Sequence, residues 1–225
     1  MAKRISDLLI SSILLLILSP VMLLVSLFVI LDNGFPVFYR GKRVGKNGGI
    51  FYIYKFRSMV ADSNQKGPGV TAESDCRVTR SGRFLRKWKL DEFPQFFNVL
   101  RGEMSLVGPR PEDPRYVGYY TEEERKILSI KPGVTGVSQI LFRNEQELLN
   151  VDDPERYYID CIMRQKLKAD LAYAEQQSSF LDLLIIAYTV LVVLLPGTSV
   201  GVCQKLLKRL PENNNTSCPY QKIGT

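Results

Sequence analysis

The chain contains no histidine. That single absence excludes Ser-His-Asp and Cys-His nucleophilic machinery, imidazole general bases and every histidine-ligated metal site. Cysteine is scarce as well. Cys76, Cys161, Cys203 and Cys218 are too scattered for a zinc pattern and too few to staple a chain of 225 residues, so a reducing compartment is expected. There is no Walker loop, no dinucleotide glycine fingerprint and no internal repeat; Gly41-Lys42-Arg43-Val44-Gly45-Lys46 is only a basic turn. Any chemistry therefore runs on carboxylates, lysine, arginine, hydroxyls or a hard cation held by oxygen.

What the chain does have is positive charge and one long apolar run. The formal net charge is +7 and favours anionic partners such as phosphate esters or an acidic lipid surface. From Leu8 to Leu31 there are 24 residues without a charge. As a helix they would extend about 36 Å, against a hydrocarbon core of about 30 Å. Ser19-Pro20 lies at the midpoint of this run. Pro20 lacks an N–H and crowds the Leu16 carbonyl, so a kink is expected there, and the Ser19 hydroxyl is placed to satisfy the freed oxygen. Basic residues flank both ends, Lys3 and Arg4 before the run and Arg40, Lys42, Arg43 and Lys46 after it. By the positive-inside rule both ends then belong on the cytoplasmic side. A single crossing and a helix-break-helix that dips in and returns both remain open at this point.

Beyond the apolar run, Val37–Arg40 and Phe51–Phe56 read as strands joined by the turn cluster Gly45–Gly49, a β-hairpin. Ala61–Thr71 reads as a loop. Arg77, Arg80, Arg83, Arg86, Lys87 and Lys89 form a wholly basic segment whose three-residue spacing stacks the arginines on one helical face, a surface suited to solvent or lipid headgroups. Its only aromatics are Phe84 and Trp88, which argues against nucleic acid as a partner. A helix is expected to start at Asp91, with Pro94 in its first turn and Gly102 as its stop. Others are expected at Glu122–Ser129 and from Asp153-Pro154 towards Gln177. Phe180–Leu195 is apolar but short for a span, so it lies in the interface or is buried. The tail from Pro211 is polar and Asn-rich.

The residues that could do chemistry are concentrated between Leu90 and Pro111. Asp91 and Glu92 are adjacent carboxylates directly after the basic segment. Either Asp91 caps a helix and Glu92 meets its dipole, or nearby cations keep Asp91 ionised for attack on phosphorus while Glu92 assists or helps hold Mg²⁺. Gly108-Pro109-Arg110-Pro111 fixes a rigid turn around one guanidinium, a group that meets phosphate in a bidentate pose. A non-catalytic, basic membrane-surface scaffold is the competing reading of the same residues.

Lys55-Phe56-Arg57-Ser58-Met59, the Leu90–Pro111 block and Lys131-Pro132-Gly133-Val134-Thr135-Gly136-Val137-Ser138-Gln139, in that order, resemble the bacterial sugar transferase family, the monotopic phosphoglycosyl transferases. The likeness covers roughly residues 5–195 and includes the Ser19-Pro20 break and Lys166–Asp170 before Ser179–Asp182. It implies an α+β, mostly helical protein: a re-entrant helix-break-helix anchor in 1–36, a cytoplasmic catalytic domain with a small hairpin and amphipathic interfacial helices in 37–196, and a tail in 197–225. It implies transfer of a sugar-1-phosphate from a UDP-sugar to polyprenyl (undecaprenyl) phosphate at the cytoplasmic face of a bacterial inner membrane. That reaction passes through a covalent aspartyl intermediate, releases UMP and uses Mg²⁺. By position Asp91 resembles the nucleophile and Glu92 its partner, both near the metal; Lys55, Arg86, Arg110 and Arg143 resemble the cations around the phosphate. Membrane lipids are expected partners, and self-association is an expectation that no single residue decides. The chain departs from the family where many members read Gly-Trp-Ala-Gln and Gly-Arg-Asn. It has Gly136-Val137-Ser138-Gln139 and Phe142-Arg143-Asn144, positions that bear on sugar or acceptor contacts.

Overall fold

The uncharged run and its flanks form one helix, α1 (Ala2–Asn33), continuous through Pro20 in a computed structural model that describes residues 2–61, 63, 67 and 69–207. The helix is not interrupted at Ser19-Pro20, so the expected helix-break-helix is absent as a break in secondary structure. The backbone repair expected there is present: Ser19 Oγ donates to the Leu16 carbonyl at 2.8 Å. The helix is long and apolar enough to cross a membrane. It presents one stripe inward, at Asp7, Ser11, Leu15, Leu18, Met22, Val25 and Val29. Ile13, Leu16, Ile17, Leu23, Leu24, Leu27 and Leu31 remain exposed on its other side.

Both ends of α1 are fastened to the same body. At the start, Lys3 Nζ meets Asp182 Oδ2 at 2.5 Å, Arg4 donates to the carbonyls of Val99 and Leu100, and Asp7 accepts from Ser105 Oγ and the Leu106 N–H. At the end, Asp32 accepts from the Ser81 N–H, Asn33 donates to the Met59 carbonyl, and Arg57 donates to the carbonyls of Asn33, Gly34 and Phe35. Arg57 thereby satisfies the last carbonyl of α1, which has no partner within the helix, and the two carbonyls that follow it. The basic residues before the uncharged run are thus engaged by protein.

The expected hairpin forms as β1 (Phe38–Val44) and β2 (Ile50–Phe56), antiparallel with Phe38 opposite Phe56 and Val44 opposite Ile50. β1 runs four residues further than the pattern of aromatic and branched side chains suggested. The basic segment yields α2 (Arg80–Lys87), capped by Thr79, whose side chain accepts from the Gly82 N–H. Gly82 is needed there: a Cβ would lie 2.0 Å from the Ser58 carbonyl oxygen, so only glycine lets α2 approach the end of β2. The arginines do not share one face. Arg77 precedes the helix, is buried and is held by Asp75 at 2.6 Å; Arg80 and Arg83 are exposed; Arg86 turns inward.

Leu90–Glu92 is a single 3₁₀ turn, and α3 (Gln95–Arg101) starts after Pro94 and stops at Gly102, which takes a positive φ of 83°. The helix start expected at Asp91 therefore falls four residues later. A short parallel pair, β3 (Ser105–Val107) with β4 (Gly133–Thr135), was not foreseen, because three-residue strands carry too little pattern. The remaining helices are α4 (Pro114–Val117), α5 (Val137–Leu141), α6 (Glu145–Leu148), α7 (Pro154–Tyr157), α8 (Met163–Glu175), α9 (Ser179–Leu194) and α10 (Ser199–Leu207). Glu124–Ser129 is 3₁₀ helix where a helix was expected. Asp153 caps α7 as its sequence suggested, accepting from the Arg156 N–H with Pro154 in the first turn. A π-helical segment, Tyr158–Ile162, joins α7 to α8.

α9 packs on β3, β4 and α5 through Leu181, Ile185 and Val192, and Thr189 Oγ1 lies 2.6 Å from Thr135 Oγ1. Its outer residues Phe180, Leu183, Val190 and Leu194 are exposed, as an interfacial helix requires. At sixteen residues it extends about 24 Å, too short to cross. The end of the tail, 208–225, lies outside the described residues.

Asn98 joins the hairpin to α3. Its Oδ1 accepts from the Tyr54 N–H at 3.0 Å, and its Nδ2 donates to the Tyr52 carbonyl and to Glu103. It is fully buried. Replacing Asn98 by alanine leaves buried donors and acceptors without partners, and unfolding by denaturant should show a loss of about 2–4 kcal/mol.

Candidate functional site

Five segments bring the expected residues to one cavity of about 920 Å³. Lys55 comes from the end of β2, Arg86 from α2, Asp91 and Glu92 from the 3₁₀ turn, Arg110 from the loop after β3, and Arg143 from the segment after α5; all six line it. At its centre Lys55 Nζ lies 2.7 Å and an Arg110 guanidinium nitrogen 3.2 Å from the same Glu92 oxygen. Burial opposes the charge on Glu92, but Lys55, Arg110 and Lys89 outweigh it and hold the carboxyl well below the usual range. Arg110 is raised in turn, chiefly by Glu92. Burial pulls Lys55 below the ordinary lysine value, with Glu92 resisting. Arg86 is lowered by burial and opposed by Asp91; its Nε donates to Ser58 Oγ at 2.9 Å.

Asp91 differs from its neighbour. It is only 6% exposed, yet its Oδ1 has no hydrogen-bond partner. It caps neither the 3₁₀ turn, which Lys89 precedes, nor α3, which follows Pro94 without a side-chain cap. The helix-cap reading of Asp91 is therefore wrong. A buried carboxylate oxygen without a donor is uncommon in folded proteins and marks a place where a ligand, a cation or a reacting atom fits.

The loop carrying Arg110 is fixed along its whole length. Gly108 N–H donates to the Thr135 carbonyl at 3.0 Å, Gly133 N–H to Pro109 at 2.8 Å, and Val44 N–H to Glu112 at 2.9 Å. A Cβ on Gly133 would sit 2.1 Å from the Gly108 nitrogen, so the loop closes on β4 only with glycine there. The Arg110 N–H donates to Asp170 Oδ2, which also accepts from Ser138 Oγ at 2.8 Å, while the Ser138 N–H donates to Asp170 Oδ1. Burial pushes Asp170 up to about 6, against these donors. Beyond it, Lys166 donates to Glu145 at 2.9 Å and to the Tyr158 hydroxyl, which donates to Glu112.

Among the polar cavity residues that sequence reasoning did not name as site residues are Ser58, Lys89 and Gln95. Ser58 and Gln95 lie within the quoted motifs, but neither carries a charge to single it out; Lys89 was grouped with the outward basic face. The departures also find their places. Val137 is fully buried in the core, Phe142 is buried at the cavity wall, and Ser138 serves Asp170. Part of the wall is apolar, formed by Ile10, Leu14 and Leu18 of α1 with Ile186, Val190 and Val193 of α9.

The site is an adjacent carboxylate pair ringed by cations, in a cavity whose lining also includes apolar residues of the membrane-length helix α1. The description "bacterial sugar transferase" belongs to the family whose model matches residues 1–196. Over 195 residues the chain is 38% identical to a UDP-N-acetylgalactosamine-undecaprenyl-phosphate N-acetylgalactosaminephosphotransferase of Aeromonas hydrophila, covering 85% of this chain and 43% of that protein. It is 37% identical over 196 residues to a UDP-glucose:undecaprenyl-phosphate glucose-1-phosphate transferase of Klebsiella pneumoniae, covering 84% and 39%. It is 38% identical over 192 residues to the uncharacterized sugar transferase EpsL of Bacillus subtilis (strain 168), covering 85% and 87%. The chain thus spans about two fifths of the first two relatives and most of the third. It belongs to the bacterial sugar transferase family.

The Lys55–Glu92 pair has a pH consequence. Glu92 is what resists the fall in the Lys55 pKa, so Glu92→Gln lets burial lower it further and the ammonium is lost at lower pH. Titrating inorganic pyrophosphate onto the full chain between about pH 7 and 10 should show the alkaline loss of affinity beginning earlier in Glu92→Gln than in wild type.

Proposed function

We propose that the chain transfers a sugar-1-phosphate from a UDP-sugar to a polyprenyl phosphate, releasing UMP. The observation that carries this reading is the unpartnered Asp91 oxygen inside a cationic cavity that also has an apolar wall. In the first step an Asp91 carboxylate oxygen attacks the phosphorus that bears the sugar. The bond from that phosphorus to the bridging oxygen breaks, and UMP leaves with the bonding pair. In the second step an oxygen of the lipid phosphate attacks the same phosphorus and displaces the Asp91 carboxylate, giving a polyprenyl diphosphosugar. Neither step needs an imidazole, which agrees with a chain that has none.

Lys55 and Arg110 hold Glu92 in place, and Arg86 and Arg143 stand at the cavity wall where the charge of the diphosphate develops. Among the described residues no three or more His, Cys, Asp or Glu side chains gather as a ligand set. Two carboxylates suffice for Mg²⁺, which takes one or two from protein and the rest from phosphate and water, and the orphaned Asp91 oxygen fits that donor set. Asp91 and Glu92 would hold the ion, and when bound it supplies charge neutralisation to the diphosphate.

The fastening of both ends of α1 to one body supports a monotopic anchor. Residues 1–36 then enter the cytoplasmic leaflet of the inner membrane and return, and 37–196 form the transferase domain beneath it. The exposed sides of α1 and α9 contact membrane lipids. Holding the site at headgroup depth places it where the lipid phosphate already lies, which lowers the entropic cost of bringing the reactants together.

The test is UMP release across a panel of UDP-sugars with undecaprenyl phosphate and Mg²⁺. Wild type should turn over at least one donor and retain labelled sugar phosphate covalently when the lipid is withheld. Asp91→Asn should abolish the adduct and lower turnover by about 10³-fold or more. Turnover at the normal rate in Asp91→Asn removes the nucleophile assignment.

A further inference from the structure

We propose that Lys89 is a phosphate-binding residue of this site, contacting a phosphoryl oxygen of one of the two substrates. The inference rests on the transfer reading given above and extends it to a residue outside the family motifs described for the chain. The four cations named from the motifs have protein partners: Lys55 and Arg110 converge on Glu92, Arg86 donates to Ser58, and Arg143 donates to the Lys87 carbonyl. Lys89 lines the same cavity, and its ammonium makes no hydrogen bond or ion pair within the described residues.

The backbone shows why the side chain is there. Lys89 has φ 57° and ψ 20°, a left-handed conformation that side chains with a Cβ rarely adopt. Its N–H donates to the Arg86 carbonyl and its carbonyl accepts from the Glu92 N–H, so this one residue ends α2 and turns the chain into Leu90–Glu92. Glycine or asparagine would make the same turn with less strain. Lysine at this position therefore carries a backbone cost that the turn itself does not require, as happens where strain is kept for function. Burial lowers the Lys89 pKa, with Glu92 and Asp91 drawing it up and Arg110 pushing it down. The ammonium does not close on Glu92, whose Oε1 is already taken by Lys55 and Arg110.

A compact ammonium with three donors on a flexible stem suits a phosphoryl oxygen that arrives with the substrate. That oxygen belongs either to the diphosphate of the donor or to the phosphate monoester of the acceptor, and the experiment separates them. Lys89→Gly and Lys89→Asn should keep the turn and unfold no earlier than wild type. They should bind inorganic pyrophosphate or inorganic phosphate about 10-fold or more weakly by calorimetry on the full chain, and Lys89→Arg should recover most of the affinity.

In kinetics, a donor contact lowers kcat/KM for the UDP-sugar by roughly 10- to 100-fold with the acceptor KM unchanged. An acceptor contact raises the KM for undecaprenyl phosphate and leaves UMP release without lipid intact. Lys89→Gly within twofold of wild type for both anions and both substrates overturns the proposal. If wild type releases no UMP from any donor while Lys89→Gly still weakens pyrophosphate binding, the transfer reading fails and the phosphate site at Lys89 stands.

Discussion

The Glu92 carboxylate, held by Lys55 and Arg110, is the interaction on which the rest of the site depends. Three segments meet there that share no local secondary structure: the end of β2, the 3₁₀ turn and the loop after β3. Taking such ions out of water costs several kcal/mol apiece, and deleting one member of a buried pair typically costs about 3–5 kcal/mol. The cluster is therefore poor as a source of stability and strong as a constraint on position. It also partitions the two carboxylates. Both cations bond to Glu92, while the adjacent Asp91 keeps a buried oxygen with no hydrogen-bond partner among the described residues.

The same short stretch of chain that supplies Lys55 also holds the anchor. Arg57 donates to the last carbonyl of α1 and to the two after it, Ser58 accepts from Arg86, and the Met59 carbonyl accepts from Asn33. Five consecutive residues thus connect the end of a membrane-length helix to two cations of the cavity. With Lys3, Arg4 and Asp7 fastening the other end, the position of α1 relative to the cavity is set by hydrogen bonds rather than by a flexible linker. Helix propensity could not do this, since it fixes the helix but not its neighbours.

Local chemistry was legible in the sequence, and convergence was not. The hairpin announced itself through aromatic and branched residues around a glycine-rich turn, the α7 cap through Asp153-Pro154, and the repair of Leu16 through Ser19 beside Pro20. Each of these is decided within a few residues. The six site residues were reached through motif order, and the cavity gathers all of them. The basic segment misled because spacing alone assumes an unbroken helix. α2 begins at Arg80 and ends at Lys87, so Arg77 falls before it and Lys89 beyond it, each facing a direction that helical periodicity does not describe. β3 and β4 were invisible for a different reason: their pairing is specified by Gly108 and Gly133 approaching across 25 residues. Only a close-approach requirement, not a strand pattern, marks it.

The departures at 136–144 can now be weighed physically. Val137 is wholly buried and absent from the cavity wall, so the branched side chain replaces an aromatic in packing and not in contact with ligand. Ser138 places a hydroxyl on Asp170, the carboxylate that receives the Arg110 N–H. That bond strengthens the backing of a cation that itself orients Glu92, so a change in one motif is felt in the next through a single buried carboxylate. Ser138 and Phe142 both line the cavity, Phe142 next in sequence to Arg143. The ring shapes the cavity wall, whereas the change at 138 bears on how firmly the loop carrying Arg110 is held and the change at 137 on core packing.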